Sequence, residues 1–290
     1  MTAAALGLVL AAAFLHATWN LALKQSTRKL TVSWLGTLVG ALLATPGLLL
    51  VPGELRISPA GWACVVATGL LHALYFLFLS EAYERGELSL VYPLARGSGP
   101  LLVALLAPFL LQEVLTPGGA TGIGLVVLGV FGLAGGPEPT LPGRSRLLSQ
   151  WHAPHVAMAL LTGLTIAGYS LVDKVGVSLV HPTLYQILMM TLAFLALAPY
   201  VLTRQRPSLA SLKAEWRTIA IVGVFSFVAY QLVLFALRLA KVAYVVATRE
   251  VSIVFGAALG AAFLGERHGP RRLLAAAAVA AGTILIGLSR

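Results

Sequence analysis

The chain has 290 residues, of which 59% are hydrophobic and only 10% charged, with a mean hydropathy of +0.91 and a formal net charge of +10. This is far more apolar than a soluble globular domain and describes a polytopic membrane protein. The 20 Lys and Arg sit singly or in small groups between apolar runs, which marks them as topology determinants and excludes a basic nucleic-acid surface.

The first apolar segment lacks a positively charged n-region and runs into His16, Trp19, Asn20 and Lys24, so it is read as a retained helix. A spanning helix needs about 20 mostly apolar residues. Ten segments approach that length: 2–23, 31–51, 59–80, 88–111, 118–135, 155–177, 182–203, 218–237, 242–264 and 272–288. The connections between them are short. The longest, 136–154, holds four prolines and is read as a linker between halves. The lone Cys64, inside an apolar run, excludes an internal disulfide and a cysteine metal cluster. Gly36/Gly40, Gly118/Gly122, Gly132/Gly136 and Gly256/Gly260 are GxxxG pairs, which predict close helix packing within a monomer or at a dimer face.

The two halves repeat. At a constant offset of 153, Arg85 pairs with Arg238, Arg96 with Arg249, Glu113 with Glu266, Pro117 with Pro270, and Gly129 with Gly282. Segments one and six match at 150, with Lys24 against Lys174 and Trp19 against Tyr169. Five helices per repeat force the halves into opposite orientations, the inverted plan of many secondary transporters, with a site near the midplane built on interrupted helices. Loops after the odd-numbered segments carry 13 Lys and Arg and the other side five, which by charge bias puts both termini outside.

The duplicated Glu113-x-x-x-Pro117 and Glu266-x-x-x-Pro270, with Ala82-Tyr83-x-x-Gly86-x-Leu88-Ser89 ahead of segment four, resemble the EamA branch of the drug/metabolite transporter superfamily. The resemblance implies a secondary carrier, often an exporter of amino acids, drugs or other small metabolites, whose helices four and nine line the cavity. It also implies cytoplasmic termini, against the charge count. The longer string from Glu81 to Gly97 is similar to a subgroup associated with phosphonate use and hints at anionic cargo.

An intramembrane guanidinium is costly unless it is paired or faces a polar cavity, so Arg96 and Arg249 are the leading candidates to contact a carboxylate, phosphonate or phosphate. Glu250 is the only carboxylate deep in a confident span; it is read as an ion-pair partner for Arg96 or a proton-coupling group. Pro93, Gly97, Gly99 and Pro100 predict a hinge that leaves backbone groups free to line a cavity, or else simply close packing. Tyr92, His16, Trp19, Asn20, His72 and Tyr75 are further substrate contacts; Tyr169, Ser170, Asp173, Tyr230 and Gln231 are weaker ones, since most intramembrane polar groups only bond across helices. Lys24 and Lys174 sit near helix ends, where long side chains snorkel or gate. There is no GxxxxGK[ST]. His152 and His155 lack further ligands, so no metal and no cofactor are expected.

The expectation is an all-α integral membrane protein, with ten transmembrane helices as two inverted five-helix repeats: helices one to five in 1–135, a linker at 136–154, helices six to ten in 155–290. It would be a non-enzymatic carrier in a cell inner membrane or plasma membrane, monomer or homodimer, exporting a small anionic or zwitterionic metabolite by alternating access. The alternatives are an exporter of hydrophobic or cationic compounds and, from another class, a membrane enzyme or lipid flippase partner.

Overall fold

The structure is a computed structural model that describes residues 1–51, 56–85, 88–132, 154–264 and 269–289. Every regular element among them is helical. In chain order they are α1 (Ala3–Gln25), α2 (Lys29–Ala44), α3 (Pro59–Arg85), α4 (Leu88–Leu110), α5 (Pro117–Gly132), α6 (Pro154–Leu179), α7 (Pro182–Tyr200), α8 (Leu209–Leu239), α9 (Val242–Arg249), α10 (Ser252–Leu264) and α11 (Pro270–Leu288). The expected linker, apart from Pro154, lies outside the described residues, as do Glu266, Gly86, Gly136 and the side chain of Tyr92.

Local sequence sets the helix starts. Pro opens α3, α5, α6, α7 and α11, where its missing N–H costs nothing and its fixed φ suits the first turn. Thr2 caps α1 by accepting from the Ala5 amide at 3.2 Å, and Ser208 with Ser211 forms a reciprocal capping box on α8. Eight helical stretches are long and apolar enough to cross a bilayer, counting α9 with the start of α10 as one; Pro117–Gly132 and Leu273–Leu288 are apolar but shorter. Their outer faces expose Leu42, Leu43, Leu105, Phe109, Leu128, Leu202 and Leu273, while Arg96, Asp173, Arg249 and Glu250 are buried. Apolar surface outside and charge inside is the pattern of a protein solvated by lipid.

Helix pairing repeats between the halves. α3 packs on α6 as α1 packs on α8, α2 meets α7, and α5 lies along α11. This two-repeat architecture depends on backbones approaching closely. A Cβ added at Gly122 would lie 2.8 Å from the Gly282 carbonyl oxygen, and one added at Gly282 would lie 2.5 Å from that of Gly122. Gly36 and Gly40 do the same against Gly223 and Phe227 of α8, whereas Gly256 has open space around it. Of the predicted GxxxG pairs, the first is therefore an internal contact and Gly256 makes none.

The interruption lies in a different span from the one predicted. α4 runs unbroken from Leu88 to Leu110 with Pro93, Pro100 and Pro108 inside it, and the ninth span breaks between Arg249 and Ser252. Gly97 and Gly99 instead admit neighbours, since an added Cβ would lie 3.0 Å from the Phe131 ring and 2.7 Å from Ile166. At the break, Glu250, Val251 and Ile253 donate to carbonyls three residues back, at 3.0 to 3.1 Å, in place of the α-helical four.

Gly122→Val should overpack the α5–α11 seam and cost about 1–3 kcal/mol. Gly124→Val, with nothing within 4 Å of its Cβ, should be neutral. Thermal unfolding of the two variants in detergent separates them.

Candidate functional site

The break in the ninth span brings the charged residues of both halves together. Successive helical residues point about 100° apart. Arg249 and Glu250 accordingly diverge: Glu250 Oε2 accepts from Arg96 Nε at 3.0 Å, while Arg249 Nη2 donates to the Tyr169 hydroxyl of α6 at 3.3 Å. Arg96 also donates from Nη2 to Ser252 Oγ at 3.4 Å. Arg96 and Arg249 are each 4% exposed and Glu250 is fully buried. The three form an ion pair of α4 with the ninth span and a second guanidinium that makes no ion pair among the described residues.

These groups stand at a cavity of about 70 Å³ that is partly open to the exterior. Of the eight predicted contacts, six line it: His16, Trp19, His72, Tyr75, Arg96 and Arg249. Asn20 does not; its amide donates to the His16 carbonyl of its own helix at 2.7 Å. The sequence reading missed Ser33, Thr37 and Ser226 and undervalued Tyr169 and Tyr230, which all line the wall. The aromatic groups are mutually ordered. His72 stacks on Tyr169 with ring centroids 4.2 Å apart, Tyr230 meets His72 edge-on at 5.2 Å, and His16 meets Trp19 edge-on at 4.8 Å.

Among the buried polar atoms without a hydrogen-bond partner, two N–H donors belong to residues of the cavity wall, Arg249 Nε and Trp19 Nε1. A buried donor left unmade costs about 1–3 kcal/mol, and more when charged. The wall therefore holds two N–H donors open to an accepting group.

The cavity reaches from the level of the arginines toward one end of the bundle, because Ser33 and Thr37 lie in the first turns of α2. At that end the α1–α2 turn is tied to α8 and the α7–α8 turn, through Ser26 Oγ to Glu215 Oε1 at 3.0 Å and Arg28 Nη1 to the Gln205 carbonyl at 3.2 Å. The opposite end is closed by a cluster around Glu113. Its Oε2 accepts from the Val242 amide at 2.8 Å, capping α9, and its Oε1 is 3.6 Å from Lys174 Nζ. Lys174 in turn caps α8, donating to the Leu237 and Ala240 carbonyls at 2.7 Å. Glu113 and Lys174 thus hold the α8–α9 corner against the end of α4.

Removing one partner of a buried ion pair typically costs about 3–5 kcal/mol, whereas replacing both with apolar groups of similar volume is often neutral. Glu250→Ala should therefore destabilise the fold by that amount, and Arg96→Met with Glu250→Leu should recover most of it, as read by apparent melting temperature in detergent.

The sequence profile of the EamA-like transporter family matches residues 3–135 and 154–288. No curated protein matches the chain. A solved structure described as "Crystal structure of protein" is similar in fold, with a TM-score of 0.78 over 99% of this chain and 98% of that one at 18% identity. With a profile match over nearly the whole length and a helical pairing that repeats between the halves, this chain belongs to the EamA-like transporter family, within the drug/metabolite transporter superfamily.

Proposed function

We propose that the protein is a secondary exporter of a small anionic or zwitterionic metabolite, such as an amino acid, organic acid or phosphonate. It works by alternating access across ten spans arranged as two inverted five-helix repeats. The observation that carries this reading is Arg249, a buried guanidinium in the cavity wall with one hydroxyl partner and a free Nε donor. Arg96 is paired with Glu250, which leaves Arg249 as a guanidinium in the cavity wall without an ion-pair partner among the described residues. A carboxylate or phosphonate would complete that charge, accepting from Arg249 and Trp19 while His72 and Tyr230 pack against its carbon skeleton. The same charge disfavours a cationic cargo. Glu250 acts as the ion-pair partner of Arg96, and α4 bends at Pro93 and Pro100, where the helix lacks N–H donors, as one repeat rocks against the other.

Where the cavity reaches supports export. The α1–α2 and α7–α8 turns stand at the end it approaches, and by sequence they belong to the odd-numbered loops that carry 13 of the Lys and Arg, the side that charge bias assigns to the cytoplasm. A site loaded from that side suits outward carriage. This orientation puts both termini outside.

In proteoliposome counterflow across amino acids, organic acids and phosphonates, Arg249→Gln should lower apparent affinity by about 10- to 150-fold. That range follows from about 1.5–3 kcal/mol for a hydrogen bond to a charged group. Exposed Arg217→Gln should change nothing, and equal transport by Arg249→Gln would remove the anion reading. For orientation, Lys213→Cys in a Cys64→Ser background should react with an impermeant maleimide only from the cytoplasmic side of right-side-out vesicles.

A further inference from the structure

A second buried carboxylate lies beside the cavity and takes no part in the ion pair. Asp173 on α6 has no exposed surface and makes no ion pair among the described residues. Its neighbour Lys174 is turned to the Leu237 and Ala240 carbonyls. Three hydroxyls from three other helices solvate it instead. Oδ1 accepts from Thr68 Oγ1 of α3 at 2.6 Å and from the Tyr185 hydroxyl of α7 at 2.9 Å, and Oδ2 accepts from the Tyr230 hydroxyl of α8 in a short contact. The other titratable groups around it are Cys64 and His72 on α3, Tyr169 on its own helix, and Arg249 on α9, the cation whose field reaches it.

A carboxylate held only for packing needs one fixed set of donors. This cage can satisfy two protonation states. The Tyr185 hydroxyl has a second acceptor, the Cys64 carbonyl, at 3.4 Å. Tyr230 is the decisive member, because it lines the cavity while its hydroxyl reaches Asp173. It joins the buried acid to the cavity wall.

We propose that Asp173 is the proton-binding site of this carrier, and that Tyr230 couples its protonation to the anion in the cavity. The coupling half rests on the cavity reading above; the proton site does not. As Tyr230 passes its hydroxyl proton to Asp173 Oδ2, a hydronium in the cavity supplies a proton to the Tyr230 oxygen. At Tyr230 one O–H bond breaks and another forms. The net change is a new Oδ2–H bond and a hydronium turned to water. The new Oδ2–H then donates to the Tyr230 oxygen, and the Tyr230 O–H turns into the cavity as a donor for the cargo anion. Ionised Asp173 recaptures that donor and adds a negative charge beside the site. Proton and anion therefore bind cooperatively, and by reciprocity each raises the affinity of the other by the same factor.

Infrared difference titration of the protein in nanodiscs tests this. The wild type should gain the C=O stretch of a protonated carboxylic acid as pH falls, and Asp173→Asn should lose that band. Asp173→Glu should keep an acid band with altered frequency, which identifies its owner even if Asp173→Asn does not fold. At fixed pH, glutamate, succinate or methylphosphonate should enlarge the wild-type band wherever it binds, and Tyr230→Phe should keep the band but lose that response. A band unchanged in both Asp173 variants belongs to another carboxyl group, such as Glu250, and overturns the proton site. An anion response in Tyr230→Phe equal to wild type overturns the relay. If none of the three anions binds while the Asp173 band still titrates, the coupling and the cavity reading fall together and the proton site stands.

Discussion

The ion pair between Arg96 and Glu250 is the constraint around which the bundle is arranged. A charged side chain at the centre of a spanning helix costs about 2.5–3.5 kcal/mol on insertion scales, so three such groups within two spans need compensation inside the protein. Pairing Arg96 with Glu250 at 3.0 Å removes two of them from the account and joins the two repeats at their most buried level. It also dictates the backbone. For Glu250 to meet α4 while Arg249 faces α6, the ninth span tightens at Glu250 and resumes at Ser252, whose hydroxyl accepts from the same guanidinium. What remains is one cation beside an open cavity, and the proposed selectivity for anions rests on it.

Around this centre the packing is of two kinds. Where backbones touch, as at Gly122 against Gly282 and Gly36 against Gly223, a methyl group cannot be admitted without moving a helix. Such seams transmit displacement as rigid contacts, because close-packed interiors shift between discrete arrangements and do not deform continuously. Around the cavity the contacts are aromatic rings and long polar side chains, which can reorient without separating helices. Rigid seams outside and adaptable rings inside suit a bundle whose halves move about a central site.

Much of this was legible in the sequence because polar residues are rare in an apolar chain. Arg96, Arg249 and Glu250 stood out by that measure alone, and the offset of 153 tied the two arginines together. Six of eight proposed contacts reached the cavity for the same reason. Asn20 did not, since its amide is satisfied by the His16 carbonyl one turn back, a local bond that sequence spacing cannot distinguish from a cavity contact. The break in the ninth span had no Pro or Gly to announce it; it is produced by partners on α4 and α6 that become neighbours only after folding. The prolines and glycines of α4 pointed the other way, and the helix runs through them because its neighbours fill the space a Cβ would have taken. The hydroxyls around Asp173 come from three helices and have no common spacing, so each looked ordinary by itself.

The short helix α9 connects the closed end of the bundle to the site. Its first amide, Val242, is held by Glu113 beyond the end of α4, and its last residue is Arg249. Eight residues at 1.5 Å per residue make a rod of about 12 Å. Such a rod is too short to bend appreciably, so opening the Glu113 cap must move the level of Arg249 and Glu250 as well. Glu250 is in turn bound to Arg96 on α4, the helix whose far end leads to Glu113. α4 and α9 therefore form a closed loop of contacts, with an ion pair at one corner and a helix cap at the other, and neither corner can be released without altering the geometry presented to the cavity.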